Sequence, residues 1–287
     1  MATAAIARRE GGLIVRETND RDLLRAFLEQ DRLFAAYALC DLDDREFART
    51  RWAVAFEGRT LVALVLEYAG TTPQPLFVMG RPDGASAILG SLIRPRAAYV
   101  SVRSDLLPAI AAHYAVDPGP PMIRMWVDRA RFRPHPAEVE RLVPAQIGEV
   151  NRLYDLGFGS WLPPSAIADG VYYGLRVRGR LVAAAGTHVV SRTARLAVVG
   201  NVFTAAEHRG RGYATAVTGA VTAELLRFCD QVVLNVRADN PPAIAVYRRL
   251  GYAEHTRFEE RLVHRLGSPV AGLTAPFRRF LAARGPR

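Results

Sequence analysis

Apolar positions recur along this chain in two rhythms. Short runs that alternate or stay apolar for four to eight residues predict strands at 13–16, 52–56, 61–68, 76–79, 98–102 and 122–127. Helical spacing fills 20–29, 85–93 and 105–114 between them. The pattern then starts again. Strands are expected at 139–143, at 171–178 and 181–190 around "RGR", and at 195–204, 232–236 and 258–263. Helices are expected at 145–156, 213–228 and 240–250. In the second of these, Val217, Val221, Leu225 and Phe228 share one face. The third has Pro241 and Pro242 in its first turn and stops at Gly251. Strands interleaved with helices predict an α/β fold with a mixed sheet.

Between the two rounds lies "RFRPHPA", polar and stiffened by Pro134 and Pro136, which reads as a boundary. It divides the chain into residues 1–130, a linker at 131–137, residues 138–265 and a basic tail at 266–287. The rounds also share sequence. "YVSVRSDLLPAIAAHY" from Tyr99 aligns without gaps with "VLNVRADNPPAIAVYR" from Val233, each reading strand, turn, helix. Val102, Arg103, Asp105, Pro108, Ala109, Ile110 and Ala111 are identical to Val236, Arg237, Asp239, Pro242, Ala243, Ile244 and Ala245. The differences carry information. Asn240 is matched by Leu106 and Tyr247 by His113, and "RGRGYA" has no counterpart in the first round, where "GRPDGASA" stands.

Charge narrows the chemistry. The chain of 287 residues carries a formal net charge of +10 and no lysine, so arginine supplies all the positive side. Absence of lysine excludes a Walker-type phosphate loop and a Schiff-base nucleophile. An arginine surplus suits an anionic ligand. Nucleic acid is not expected, because the basic segments lack interleaved aromatics, a zinc pattern and a helix-turn-helix. Cys40 and Cys229 stand far apart with no metal-ligand spacing, so neither a metal nor a disulfide is expected. No apolar run reaches the roughly 18–20 residues of a membrane helix, and "MATAAIARREGG" lacks a signal-like core. A cytoplasmic protein without membrane contact is the expectation.

The stretch "GNVFTAAEHRGRGYATAV", Gly200 to Val217, holds the densest chemistry. An apolar strand runs into Arg209-Gly210-Arg211-Gly212 and then into a helix. A helix start leaves backbone N–H groups unpaired and carries partial positive charge, so an anion is favoured there. Two glycines let phosphate oxygens approach the backbone, and two guanidinium groups add charge-assisted bonds. The same pattern on a bare loop is only a solvated turn. Here it joins R-x-x-G-x-A (Arg209, Gly212, Ala214) to N-x-x-A-x-x-x-Y-x-x-x-G-Y (Asn240, Ala243, Tyr247, Gly251, Tyr252).

These motifs resemble the acetyl-CoA-binding signature of the GNAT superfamily of N-acetyltransferases, strongly over 171–263 and faintly in the first half. The two-part layout is similar to glycine N-acyltransferase-like members, with tandem GNAT-like domains of which the first is degenerate. The resemblance implies acetyl-CoA as co-substrate and a small-molecule amine as acceptor. It implies that the backbone of Val202, Phe203 and Thr204 holds the pantetheine arm. Arg209, Gly210, Arg211, Gly212, Tyr213, Ala214 and Thr215 would hold the pyrophosphate. Asn240, with Ala243 in its motif, would meet the cofactor arm, and Tyr247 would protonate the leaving thiolate. Asn240 is also a natural helix cap, and Tyr247 equally a core aromatic. Other readings keep the fold but use another acyl-CoA, an amino-acid acceptor, or no catalysis at all.

The base is not legible. Many family members carry a glutamate where this chain has Val198. Glu207 belongs to the loop. A simple hairpin around "SRTA" sets His188 opposite Ala197, away from the cradle. The segment 155–165, with Phe158 and Trp161, is expected to shape the acceptor pocket.

Overall fold

The computed structural model describes residues 8–10, 12–69, 73–155 and 162–267. The chain divides into two compact units, Met1–Met122 with Arg257–Arg287, and Ile123–Thr256.

The first unit runs β1 (Arg8–Glu10), β2 (Leu13–Glu17), α1 (Arg21–Leu28), α2 (Ala36–Cys40), α3 (Asp44–Phe47), β3 (Thr50–Glu57), β4 (Thr60–Tyr68) and β5 (Gln74–Gly80). It continues with α4 (Pro82–Ser91), β6 (Ala97–Val102), α5 (Leu107–Ala111) and β7 (Tyr114–Val116). Neighbouring strands from β1 to β5 are antiparallel, and β5 and β6 are parallel with α4 as the crossover. The core gathers Ala53, Val65, Val78, Ile88, Val100 and Ile110.

The second unit repeats this scheme. It contains β8 (Met122–Val127), β9 (Glu140–Arg141), α6 (Ile147–Asp155), α7 (Pro164–Asp169), β10 (Tyr173–Val177) and β11 (Arg180–Ser191). Then come β12 (Leu196–Thr204), α8 (Tyr213–Leu225), β13 (Gln231–Arg237) and α9 (Pro241–Arg249). Its strands stand in the order β9-β10-β11-β12-β13-β8. All pairs from β9 to β12 are antiparallel; β12 and β13 are parallel, with α8 between them in sequence. One apolar cluster packs α8 and α9 on the sheet through Val199, Val217, Val221, Leu234 and Ile244. A second, around Leu153, Tyr154, Tyr172 and Phe203, seats α6. The Val217, Val221, Leu225 stripe is fully buried, as the helical spacing demands.

Both copies of the repeated sequence take up the same place: a strand parallel to its neighbour, then a helix. The final strand is where local pattern stops being informative. β14 (Ala253–Arg265) forms over the expected 258–263, but from Arg257 it belongs to the first unit. There it pairs antiparallel with β6, from Glu259↔Val102 to His264↔Ala97. In the second unit the matching place beside β13 is held by β8. Alternation of apolar residues makes a strand; it does not choose the partner.

Smaller differences have local causes. The expected strand at 139–143 shrinks to Glu140–Arg141. The expected helix at 105–114 begins as a 3₁₀ turn, Ser104–Leu106, and is over by Ala111, so that Tyr114 already lies in β7. Helices α2, α3 and α7 span only four to six residues, too few to show a helical period. No described helix is long and apolar enough to cross a membrane.

Candidate active site

Two adjacent parallel strands open a slot in the second unit. The β12–β13 ladder runs only from Leu196↔Gln231 to Val199↔Leu234. Both strands go on, to Thr204 and Arg237, without further ladder bonds between them. The cause lies in β12. Opposite β11, the register passes from Gly186↔Gly200 to Ala184↔Phe203, so β12 carries one extra residue there. Asn201 takes a left-handed backbone, φ 53°, within that bulge. A bulge bends its strand and raises the local twist, which turns Val202–Thr204 away from β13. Tyr154 of α6 pins the bulge, its hydroxyl donating to the Asn201 carbonyl at 2.6 Å. Ala205 N–H still bonds to Val182 O on β11, whereas the Thr204 carbonyl accepts from Arg209 Nε at 3.2 Å. The backbone of Val202, Phe203 and Thr204 therefore lines the slot, while the Phe203 ring is buried against Tyr154 at 6.3 Å.

The head of α8 closes one end. Gly212 is its N-cap at φ 80°, and no side chain caps the helix. Gly210 is also left-handed, at φ 76°, and a Cβ on either glycine would meet nothing within 4 Å. The turn is open towards solvent, and its conformation is one that only glycine adopts without strain. Tyr213 and Ala214 occupy the first turn, half-buried. Thr215 is buried, and its hydroxyl has no hydrogen-bond partner among the described residues; neither has Thr204 Oγ1. Buried hydroxyls beside uncapped amides match an anion that would complete them. Arg209 and Arg211 are exposed and flank the turn, Arg211 reaching Glu207 O at 3.4 Å.

Asn240 and Tyr247 come from α9, which follows β13. Asn240 is the N-cap, its side chain accepting from the N–H of half-buried Ala243 at 3.2 Å. Tyr247 is 7% exposed, and burial pushes its hydroxyl pKa up to about 12, so it is a phenol at neutral pH. Its ring lies 6.1 Å from that of Tyr252. Arg248 is exposed and pairs with Glu254. Val198 is fully buried and apolar, and no group of three or more potential metal ligands occurs among the described residues. Phe158 and Trp161 lie outside the described residues.

The placement expected for His188 is corrected. A second bulge separates Thr187↔Val199 from Val189↔Val198, and His188 is the extra residue on β11. Val190, not His188, faces Ala197. The His188 ring instead lies on Gly200, at the root of the slot, with Nε2 3.3 Å from Asn201 Oδ1. It is exposed to solvent yet surrounded by protein, the signature of a recess, and desolvation holds its pKa below that of an ordinary imidazole. A straight hairpin count cannot find this, because two irregularities intervene. The sequence signal was the pair of glycines, Gly186 and Gly200, which leave room for the Tyr172 and His188 rings.

Comparison with known proteins agrees with this geometry. The FR47-like protein family model matches residues 172–262. A GCN5-related N-acetyltransferase from Sphaerobacter thermophilus is 16% identical, with 89% of this chain and 96% of that one covered at a TM-score of 0.60. A GCN5-related N-acetyltransferase from Kribbella flavida is 17% identical, with 84% and 97% covered and a TM-score of 0.57. A tandem GNAT protein from the clavulanic acid biosynthesis pathway is 17% identical, with 89% and 99% covered and a TM-score of 0.55. The chain has the tandem GNAT fold. No curated protein matches it in sequence.

Within this tandem fold the first half has closed the equivalent site. There the β5–β6 ladder runs from Gln74↔Ala98 to Val78↔Val102, the last residue of β6, so no slot opens. Asp83 sits in the first turn of α4, its carboxylate accepting the Gly84 N–H at 2.9 Å. Arg81 pairs with it and holds that carboxyl below the usual range. The helix start thus carries its own anion. In the places of Asn240 and Tyr247 stand buried Leu106 and half-buried His113, the latter bonded to Ser86 Oγ at 2.9 Å.

Proposed function

We propose that this protein is an N-acetyltransferase that moves the acetyl group of acetyl-CoA to a primary amine of a small molecule. The observation that carries this reading is the conjunction, in one unit, of a slot between β12 and β13 with an uncapped helix start bearing a buried, unpartnered Thr215 hydroxyl. The residues fit the group. Amides at Gly212–Thr215 and the guanidinium groups of Arg209 and Arg211 would hold a pyrophosphate. The open edge of Val202–Thr204 would pair with a peptide-like arm in the manner of an added strand. When bound, acetyl-CoA supplies an acyl thioester, whose carbon accepts an amine.

The chain's own residues then have three tasks. Backbone N–H at Val202 polarises the thioester carbonyl. Tyr247, held as a phenol, protonates the departing thiolate. A base must free the amine of its proton. The cytoplasm is the compartment this reading assigns, with acceptor amines from the soluble pool.

Calorimetry with acetyl-CoA at near-physiological salt tests the reading. Saturable binding is expected, together with a rise in melting temperature that Arg209→Glu abolishes. Absence of binding up to about millimolar ligand, some 4 kcal/mol of affinity, overturns it.

A further inference from the structure

Tyr252 closes the motif that carries Asn240 and Tyr247, and acyl transfer as described leaves it without a task. It follows α9 through Gly251, whose left-handed φ of 92° turns the chain. Two bonds hold it. Its backbone N–H donates to the Tyr247 carbonyl at 3.0 Å, and its ring lies 6.1 Å from the Tyr247 ring. Its hydroxyl reaches Thr222 Oγ1 of α8 at 2.8 Å. The direction of that bond is decided by the next one. The Thr218 carbonyl can only accept, so Thr222 donates its single hydroxyl proton there, at 2.8 Å. Tyr252 therefore donates to Thr222. Thr222 is fully buried and Tyr252 nearly so, which keeps water from competing. Burial also raises the Tyr252 pKa, so the donor keeps its proton.

We propose that Tyr252 is a positioning residue: anchored on Thr222, it sets the place of Tyr247 relative to the head of α8. The two helices carry separate parts of the site. α8 presents the uncapped amides at Gly212–Thr215, and from Tyr213 to Thr222 the same helix runs about 13 Å. α9 carries Tyr247. Apolar contacts between helices are non-directional and tolerate small slides. A buried hydrogen bond prescribes both distance and angle. Tyr252 passes that constraint to Tyr247 through one backbone bond and one ring contact. A proton donor displaced by about 1 Å costs up to about 10²-fold in rate, so the constraint bears on turnover rather than on holding the anion.

This inference rests on the acyl-transfer reading with Tyr247 as acid, and the test separates the two. Thiol release from acetyl-CoA with a panel of primary amines gives kcat, calorimetry gives acetyl-CoA affinity, and thermal melts give stability. Tyr252→Phe removes only the hydroxyl and should lower kcat by about ten-fold, with affinity within a few fold of wild type. Thr222→Val should lower kcat as much. It should also lower the melting temperature, because it leaves the Tyr252 hydroxyl buried without an acceptor. Thr222→Ser, which keeps the oxygen, should rescue both quantities. The double variant Tyr252→Phe/Thr222→Val strands no polar group. Its melting temperature should recover while its kcat stays as low as that of either single variant. A kcat that recovers with stability overturns the proposal, and so does a wild-type kcat in Tyr252→Phe. In both cases an impaired Tyr247→Phe leaves the acyl-transfer reading intact. An unimpaired Tyr247→Phe removes the acid and this inference with it, but not cofactor binding. A wild type that turns over no amine in the panel overturns both readings.

Discussion

The imidazole of His188 lies flat against Gly200, so close that a Cβ there would fall 2.1 Å from Nε2. Two neighbouring strands thus share one ring: β11 contributes it and β12 leaves it space. Gly200→Ala should displace the ring without unfolding the unit, since the obstructing group is a side chain. The expected outcome is a drop in amine turnover of about ten-fold or more. The melting temperature and the acetyl-CoA affinity should stay close to wild type. Full activity in a crystal-verified Gly200→Ala would show that the ring's position does not matter.

Tyr247 is held protonated by its surroundings. Tyr247→Phe keeps the packing against Tyr252 and removes only the hydroxyl. Turnover should fall by about 10²-fold or more, while acetyl-CoA binds within a few fold of wild type. Steady-state rates alongside calorimetry separate the two quantities, and unchanged kcat would take Tyr247 out of the reaction.

One acetyl-CoA per chain is expected, not two. In the first unit the carboxylate of Asp83 already sits at the start of α4, and β5 and β6 stay paired to the end of β6. Replacing Asp83 by Asn should not create a second site, because the slot for the arm is missing too. Titration calorimetry reads this directly; a stoichiometry near two would refute the closure.

Asp41 gives the first unit a stability signature of its own. The residue is buried, and desolvation with Glu46 and Asp43 nearby raises its carboxyl pKa to about 8. The folded state thus holds a proton that the unfolded state gives up near pH 4. Stability should decline as pH rises from about 4 to 8 and level off beyond. Asp41→Asn mimics the protonated form and should flatten that slope in thermal melts. An unaltered slope would mean that Asp41 is ionised in the fold.

Much was legible in the residues themselves because it is local chemistry. The period of Val217, Val221 and Leu225 requires a buried helix stripe. The Gly210 and Gly212 pair requires positive φ. Asn240 before two prolines requires a cap. The repeated "VRxD…PAIA" requires two copies of one strand and helix. Together these determined the α/β tandem architecture and pointed to the second half for the candidate site.

Tertiary structure decided what spacing along the chain does not encode. Bulges at His188 and Asn201 each shift a register by one residue, and one residue reverses which side chain faces the slot. A strand's alternation is the same whichever neighbour it pairs with, so only the assembled sheets place β14 beside β6. The anchoring of Asn201 emerges only when Tyr154, Tyr172 and His188, from three separate segments, converge on it. Local physics selects elements and turns; the directionality of hydrogen bonds between distant segments selects the chemistry.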